Sequence, residues 1–384
     1  MEVKQVYEFV NSAIAEATGA ESILNEDLSN VVDAGQSVFN ASAFDAFVKS
    51  LVNHIGRVIF VNRPYRGSAP SVLKSEWEYG SVVEKISSEL PTAVENESWD
   101  LVDGASYDPN VFHQPSVEAK FFNKMTTFEV DRSITQRQVQ QSFSSATQLN
   151  AFVSMLFNEV EKALTVANDG LIMRTINNMI VETMYSTYSG GAITGAGSPR
   201  AVNLLSRFNT QYSKSLTAAA AIVDPDFIRY AAYVMALYVD RLTRMSVLFN
   251  VGGKQRFTPK DLQHIVMLSE FRAAADVFLQ SNTFHDEYTK LQNAETVPYW
   301  QGSGTDYAFS STGKIDAVSV AGHSQTTTGV IATIFDHDAL GVMNFNSRVT
   351  TQYNAKAEFT NYFYKRDARY FNDANENFVV FFVA

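Results

Sequence analysis

The chain has no cysteine in 384 residues. Disulfide frameworks and thiolate metal sites are therefore excluded. A thiol-free composition suits a protein that meets first a reducing and then an oxidising medium. Long apolar runs are missing too. Nothing reaches the roughly 18 residues a membrane-spanning helix needs, so no transmembrane segment and no membrane partner are expected. Met1-Glu2-Val3-Lys4 lacks the basic, then apolar, start of a secretory signal, so a protein made and used without secretion is expected. Positive charge is scarce: 30 Lys and Arg stand against 41 Asp and Glu, a net charge of -11. Nucleic-acid binders cluster Lys and Arg on one face. Neither end here has a basic tail, which argues against condensing nucleic acid by charge neutralisation. The length allows two or three domains.

Proline is absent from one long stretch, residues 144–189, which holds a single glycine, Gly170. Leu149, Phe152, Val153, Leu156, Val160, Ala163, Leu164, Ala167, Leu171, Ile176, Met179 and Ile180 recur there at spacings of three and four. That is one face of a helix. Ser145 and Gln148 fit a capping box at its start, and Gly190-Gly191 stops it. The spacing predicts a helix over 145–187 with a bend near Gly170. About 40 residues span roughly 60 Å, and no partner helix of similar length follows. Such a helix reads as a strut through a flat, extended body.

Helical patterns also cover residues 3–17 and 40–56. Asn40 or Ser42 is the expected cap of the second, with Phe44, Phe47, Val48 and Leu51 on one face. "RVIFVNRP" reads as a strand closed by Pro64. Residues 67–125 read as a long hairpin. Its arms are "GSVVEKISSELPTA" and "PSVEAKFFNKMTTFEV", and an acidic, turn-rich segment lies between them. A lone two-stranded hairpin is marginal in water, so this one must lie on something. Asp224-Pro225 opens a helix to about Met245. "QHIVMLSE" is a buried strand leading into the helix "FRAAADVFLQS". "TGVIATIFD" is a strand with "HDALGV" a short helix behind it. The tail has strands at "RVTTQYN" and "FTNYFYKRDARYF", a turn at "NDANEN" and an apolar "FVVFFVA". The last strand must be covered. It is expected beside the Phe359–Phe371 strand and against Phe152, Leu156 or Val160 of the long helix.

No catalytic, cofactor or metal residue is assigned. Asp336-His337-Asp338 and His285-Asp286-Glu287 are adjacent in sequence, which gives no shared geometry. No G-x-S-x-G elbow supplies a nucleophile, and "GHSQT" lacks its last glycine. "VGGKQRF" fails as a phosphate loop, because Gln255 follows Lys254 and Leu248 replaces the first glycine. "GSGTDY" and "GAGSPR" lack the third glycine of a dinucleotide loop. Asp373, Asn375 and Asn377 alternate as in a calcium loop, but Phe378 stands where its glycine belongs. The basic, aromatic "FTNYFYKRDARYF" reads as a half-buried strand with its charges outward rather than a base-stacking platform.

The order of parts resembles the major capsid proteins of tailed bacteriophages, the Hong Kong phage fold. The resemblance is carried by "WEYGSVVEKISSELPTAVENESWDL", "KFFNKMTTFEVDRSITQRQVQQSF", "GLIMRTINNMI", "GGKQRFTPKDLQHIVMLSEF" and "DARYFNDANENFVVFFVA". It implies an α+β fold with an N-terminal arm (1–66), an extended loop (67–125) and a peripheral domain (126–200) holding the spine helix. An axial domain (201–341) and terminal peripheral strands (342–384) complete it. It implies a virion protein, assembled in the host cytoplasm. Hexamers and pentamers of it would build an icosahedral shell around double-stranded DNA. Portal and scaffolding proteins are the implied partners, with head decoration proteins besides, and DNA contact is weak and non-specific. A start at Met1 implies a separate scaffolding protein rather than a removed leader. Lys74 and Lys85 are available for the cross-link some relatives form, without an identifiable partner. Trp77, Tyr79 and Trp99, large aromatics in a loop without its own core, are the candidate intersubunit contacts. The competing readings are an encapsulin-like nanocompartment, which shares the fold, and a soluble hydrolase using the His285 or His337 cluster.

Overall fold

The structure is a computed structural model. It describes residues 3–19, 24–40, 43–61, 69–74, 83–91, 93–280, 294–298, 300, 310–316 and 321–384. The chain opens with helices α1 (Val3–Thr18), α2 (Val31–Asn40) and α3 (Phe44–Val61). Strands β1 (Val83–Ser88), β2 (Val117–Phe122) and β3 (Met125–Thr135) follow, then α4 (Gln136–Ser142) and α5 (Ala146–Tyr188). Next come β4 (Ala201–Asn203), α6 (Leu204–Tyr212), α7 (Ala218–Ala221) and α8 (Pro225–Leu242). They lead to β5 (Gln263–Leu268), α9 (Ser269–Gln280), β6 (Ala294–Val297) and β7 (Ser310–Asp316). The last five strands are β8 (Ala321–Thr328), β9 (Val330–Asp336), β10 (Leu340–Asn354), β11 (Phe359–Asn372) and β12 (Phe378–Phe382).

The long helix forms as its spacing predicts, as 43 residues of α5. Ser145 Oγ accepts from the Gln148 amide at 3.3 Å. The Gln148 side chain turns instead to Ser144 Oγ, so half of the expected box forms. A complete box caps α4: the Gln138 amide donates to Thr135 Oγ1 at 3.3 Å, and the Thr135 amide donates to Gln138 Oε1 at 3.0 Å. At the far end Ser189 and Gly190 both take left-handed φ, 53° and 76°. Termination therefore begins one residue before the glycine pair. Gly170 stays helical in open space. Leu149, Val153, Leu156, Val160 and Leu164 are buried with helical period. From Leu171 to Met184 the helix is buried all round except at Arg174, the pattern of a helix inside a core rather than on one.

The chain forms two compact units. One comprises Met1–Gly80, Lys124–Met173 and Val342–Tyr370. Its core joins α1, α2 and α3 to the first part of α5 and to Tyr362 and Tyr364 of β11. Its sheet has the order β10-β11-β3. Strand β11 alternates: Tyr362 and Tyr364 enter the core, while Lys365 reaches Glu129 on β3 at 2.6 Å. Tyr364 donates its hydroxyl to the Val52 carbonyl at 3.0 Å, and burial pushes both phenols well up. The aromatic rings thus serve the core, as the half-buried reading requires.

The other unit comprises Ser81–Asn123, Arg174–Gly341 and Phe371–Ala384. Its five-stranded sheet runs β4-β12-β9-β5-β6, with β7-β8 a separate pair. Every residue of β9 and β12 is buried. Tyr238 of α8 packs edge-on to Phe381 at 5.2 Å. At the turn into β9, Gly329 has φ +73°, and a Cβ there would fall 2.0 Å from the Val383 carbonyl oxygen; only glycine fits.

Four expectations are corrected. The expected strand at 57–64 is helical to Val61, where α3 ends. A short β-branched run cannot be told from a helix by pattern alone, and an existing helix extends at little cost. Asn40 ends α2, a helix the reading missed, rather than capping α3; Ser42 lies outside the described residues. "HDALGV" is no helix. The Asp336 carboxylate accepts from the Asp338 amide at 2.8 Å, and this turn delivers the chain into β10. Finally, β12 does not lie beside β11. It pairs in parallel with β4 and antiparallel with β9. An all-apolar strand needs cover on both faces, which a central position gives, whereas β11 alternates. Phe152, Leu156 and Val160 belong to the core of the first unit. Tyr188 of α5 lies 6.3 Å ring to ring from Phe382 of β12.

Candidate assembly surface

Of the hairpin expected at 67–125, β1 and β2 pair in the register Val83↔Phe122 to Ser88↔Val117, and residues 75–82 lie outside the described residues. Residues 93–114 between them hold one 3-10 turn, Glu97–Trp99, and no strand. The register sets Lys85 directly opposite Lys120. Like charges so placed repel. One buried carboxylate resolves this: Asp373, 3% exposed, sits 3.2 Å from Lys85 Nζ and 3.3 Å from Lys120 Nζ, one oxygen to each. Lys85 also donates to the Asp338 carbonyl at 2.5 Å. Beside it Phe122 packs on Phe371 at 5.4 Å. Burial pushes Glu376 up, with Lys85 and Arg256 opposing.

A second anchor lies further along the hairpin. Lys254 Nζ is 2.7 Å from Glu89 and 3.2 Å from Glu118. The hydrogen bond from Lys254 holds Glu89 below the usual carboxylate range, and the one to Glu89 raises Lys254. The base of the hairpin is thus fixed to its own unit on its inner face.

The outer face and tip are bare. Ile86, Val117 and Phe121 point away from the anchors, and Ile86 is 67% exposed. Trp99 is 99% exposed and Phe112 82%. The tip is shaped by local turns. Asn96 Oδ1 accepts from the Ser98 amide at 2.8 Å, Asp108 Oδ1 from the Asn110 amide at 2.9 Å, and the Tyr107 hydroxyl from the Val102 amide at 3.1 Å. Of the three aromatics singled out in the sequence, Trp99 is bare; Trp77 and Tyr79 lie outside the described residues. The anchors themselves were missed. Lys85 and Asp373 had been weighed for cross-linking and calcium, and only the strand register reveals what they do.

The acid–base candidates among the described residues sit in hydrogen-bonded settings. Asp336 is buried and accepts from Thr258 Oγ1 at 2.6 Å. His337 Nδ1 and His264 Nε2 lie 3.0 Å apart. His323 of "GHSQT" bonds Glu182 at 2.8 Å and stacks on Tyr185 at 3.8 Å. Burial raises Glu182, and His323 pulls the other way. The His285 cluster and "GSGTDY" lie outside the described residues. Among the described residues no group of three His, Asp or Glu side chains could hold a metal, and no helix is long and apolar enough to cross a membrane.

A chain in the structure of the head fiber and inner core protein gp22 of bacteriophage P68 superposes with a TM-score of 0.52 at 9% identity, covering 82% of this chain and 83% of that one. The capsid of Staphylococcus phage Andhra gives 0.48 at 9% identity over 82% and 83%, and that of cyanophage P-SCSP1u 0.43 at 10% over 80% and 85%. No curated protein sequence matches. The α+β fold is the Hong Kong phage type found in phage heads. The chain belongs to the Phi29-like phage major capsid proteins, whose family model matches residues 8–382. It is a structural protein of the virion that self-assembles into a shell; neither the nanocompartment nor the hydrolase reading is favoured.

Proposed function

We propose that the shell is icosahedral, built of hexamers and pentamers, and that residues 67–125 are the arm by which one subunit holds the next. The observation that carries this is the contrast within one hairpin: a base fixed by Asp373 and Lys254 and a tip whose Trp99 is bare. A soluble protein keeps large aromatics bare where a partner covers them. Trp99, with Trp77 and Tyr79 on the same arm, is the proposed contact set. The roles of 1–66 as arm, 126–200 as spine-bearing peripheral domain and 201–341 as axial domain follow, with 342–384 shared between the two units.

The enclosed genome is double-stranded DNA, met only by weak non-specific contact. A net charge of -11 suits a lining from which DNA must slide. Scaffolding, portal and decoration proteins are the proposed partners, and assembly takes place in the host cytoplasm without any catalytic step by this chain. The test is Trp99→Ala, followed by sedimentation and electron microscopy. Loss of particles with a soluble, folded subunit is expected. Normal particle yield would overturn the role given to the arm.

A further inference from the structure

The loop tip carries one sign of charge. Residues 93–112 contain Glu95, Glu97, Asp100, Asp103 and Asp108 and no Lys or Arg. They also present bare apolar side chains, Val94, Trp99, Leu101 and Phe112 among them. Elsewhere in the same unit lies a segment of opposite character. Residues 241–262 contain Arg241, Arg244, Lys254, Arg256 and Lys260 against the single acid Asp261. Met245, Val247, Leu248 and Phe257 are exposed within it. Three of its cations are engaged: Lys254 with the hairpin, Arg256 with Glu376 at 3.4 Å and Lys260 with Asp240 at 2.5 Å. Arg241 and Arg244 are exposed, and neither forms a side-chain ion pair among the described residues; Arg241 lies over the Tyr238 ring at 5.3 Å.

We propose that the acidic, apolar loop tip of one subunit docks on the basic, apolar 241–262 segment of a second copy. This rests on the reading of the loop as an intersubunit arm and names where the arm lands. Within one subunit the two surfaces are both bare, so the loop does not satisfy its own patch. The hairpin base is fixed by Lys254, beside a cleft of about 250 Å³ between Ser87–Leu90 and the Gly253–Arg256 turn. Each subunit therefore receives a loop at one place and offers its own tip at another. Two different surfaces that fit each other make a head-to-tail contact, which closes into a ring when repeated by rotation. Charge selects the partner surface and speeds encounter, while the apolar side chains supply burial.

The absence of cysteine makes the test clean. Asp103→Cys and Arg244→Cys are combined in one chain, and assembled particles are oxidised and run on non-reducing gels. A ladder of linked subunits is expected, with single-cysteine chains giving none. In parallel, Asp100→Lys with Asp103→Lys, and Arg241→Glu with Arg244→Glu, are each expected to lower particle yield about tenfold, a coupling of roughly 1.4 kcal/mol. The two swaps together restore it. Unfolding melts on the unassembled subunits confirm that the swaps leave the fold intact. If Trp99→Ala abolishes particles while the combined swap fails to rescue and no ladder forms, the landing site is wrong and the arm reading stands. If Trp99→Ala leaves assembly normal, the arm reading falls, and this proposal with it.

Discussion

Lys120 reaches Asp373 across 253 positions of sequence, at 3.3 Å and in a buried setting. The contact ties the second strand of the hairpin to the turn between β11 and β12. Because Lys85 shares the same carboxylate, removing Asp373 takes the carboxylate from Lys120 and leaves the facing Lys85 with only the more distant Glu376, at 3.8 Å. Breaking a buried pair by deleting one partner costs about 3 kcal/mol or more. Asp373→Ala is expected to lower subunit stability by about that amount and to raise hydrogen exchange across Val83–Ser88 and Val117–Phe122. Unchanged exchange in those strands would contradict the anchoring role.

Asp367 on β11 makes a second carboxylate test, through pH. Its oxygens accept from Thr127 at 2.7 Å, Asn346 at 3.2 Å and Arg348. Burial acts to raise this carboxyl, but the hydrogen bonds from Arg348, Thr127 and Asn346 outweigh it and hold it below the ordinary 3.8. A depressed carboxyl stabilises the fold above its unfolded value and loses that contribution as pH falls through the folded one. Asp367→Asn is therefore expected to be less stable than the natural chain at pH 7, with the gap closing below about pH 4. Urea midpoints at several pH values measure it.

Removing residues 378–384 takes the central strand out of β4-β12-β9 and uncovers both neighbours. Insoluble protein is expected on expression. Recovery of soluble particles would mean that the sheet closes without β12.

Gly170→Ala meets no atom within 4 Å and no positive φ. Alanine in a helix interior is worth roughly 1 kcal/mol over glycine, so a thermal melt of the isolated subunit should rise. If assembly requires a bend at this position, particle yield falls even as the subunit gains stability.

What local chemistry could decide was legible in the sequence. The 43-residue helix announced itself by period and by the lack of proline, since a helix needs only its own residues to satisfy its backbone. The helix opened by Asp224-Pro225 was legible for the same reason, and the strands β5, β9, β11 and β12 and the turn at Asn372–Asn377 from their apolar or alternating runs and the turn residues between them. The order of parts also carried the family. Pairing was not legible. A strand's neighbours are chosen by burial on both faces and by long-range register, so β12 went to β4 and β9 instead of to its sequence neighbour β11. The anchors were hidden likewise. That Lys85 faces Lys120 follows from a register set across the whole loop between β1 and β2, and that Asp373 answers both follows from a turn more than 250 residues away. Sequence spacing carries no record of such meetings; only the folded sheet brings those charges within reach and leaves Trp99 bare beyond them.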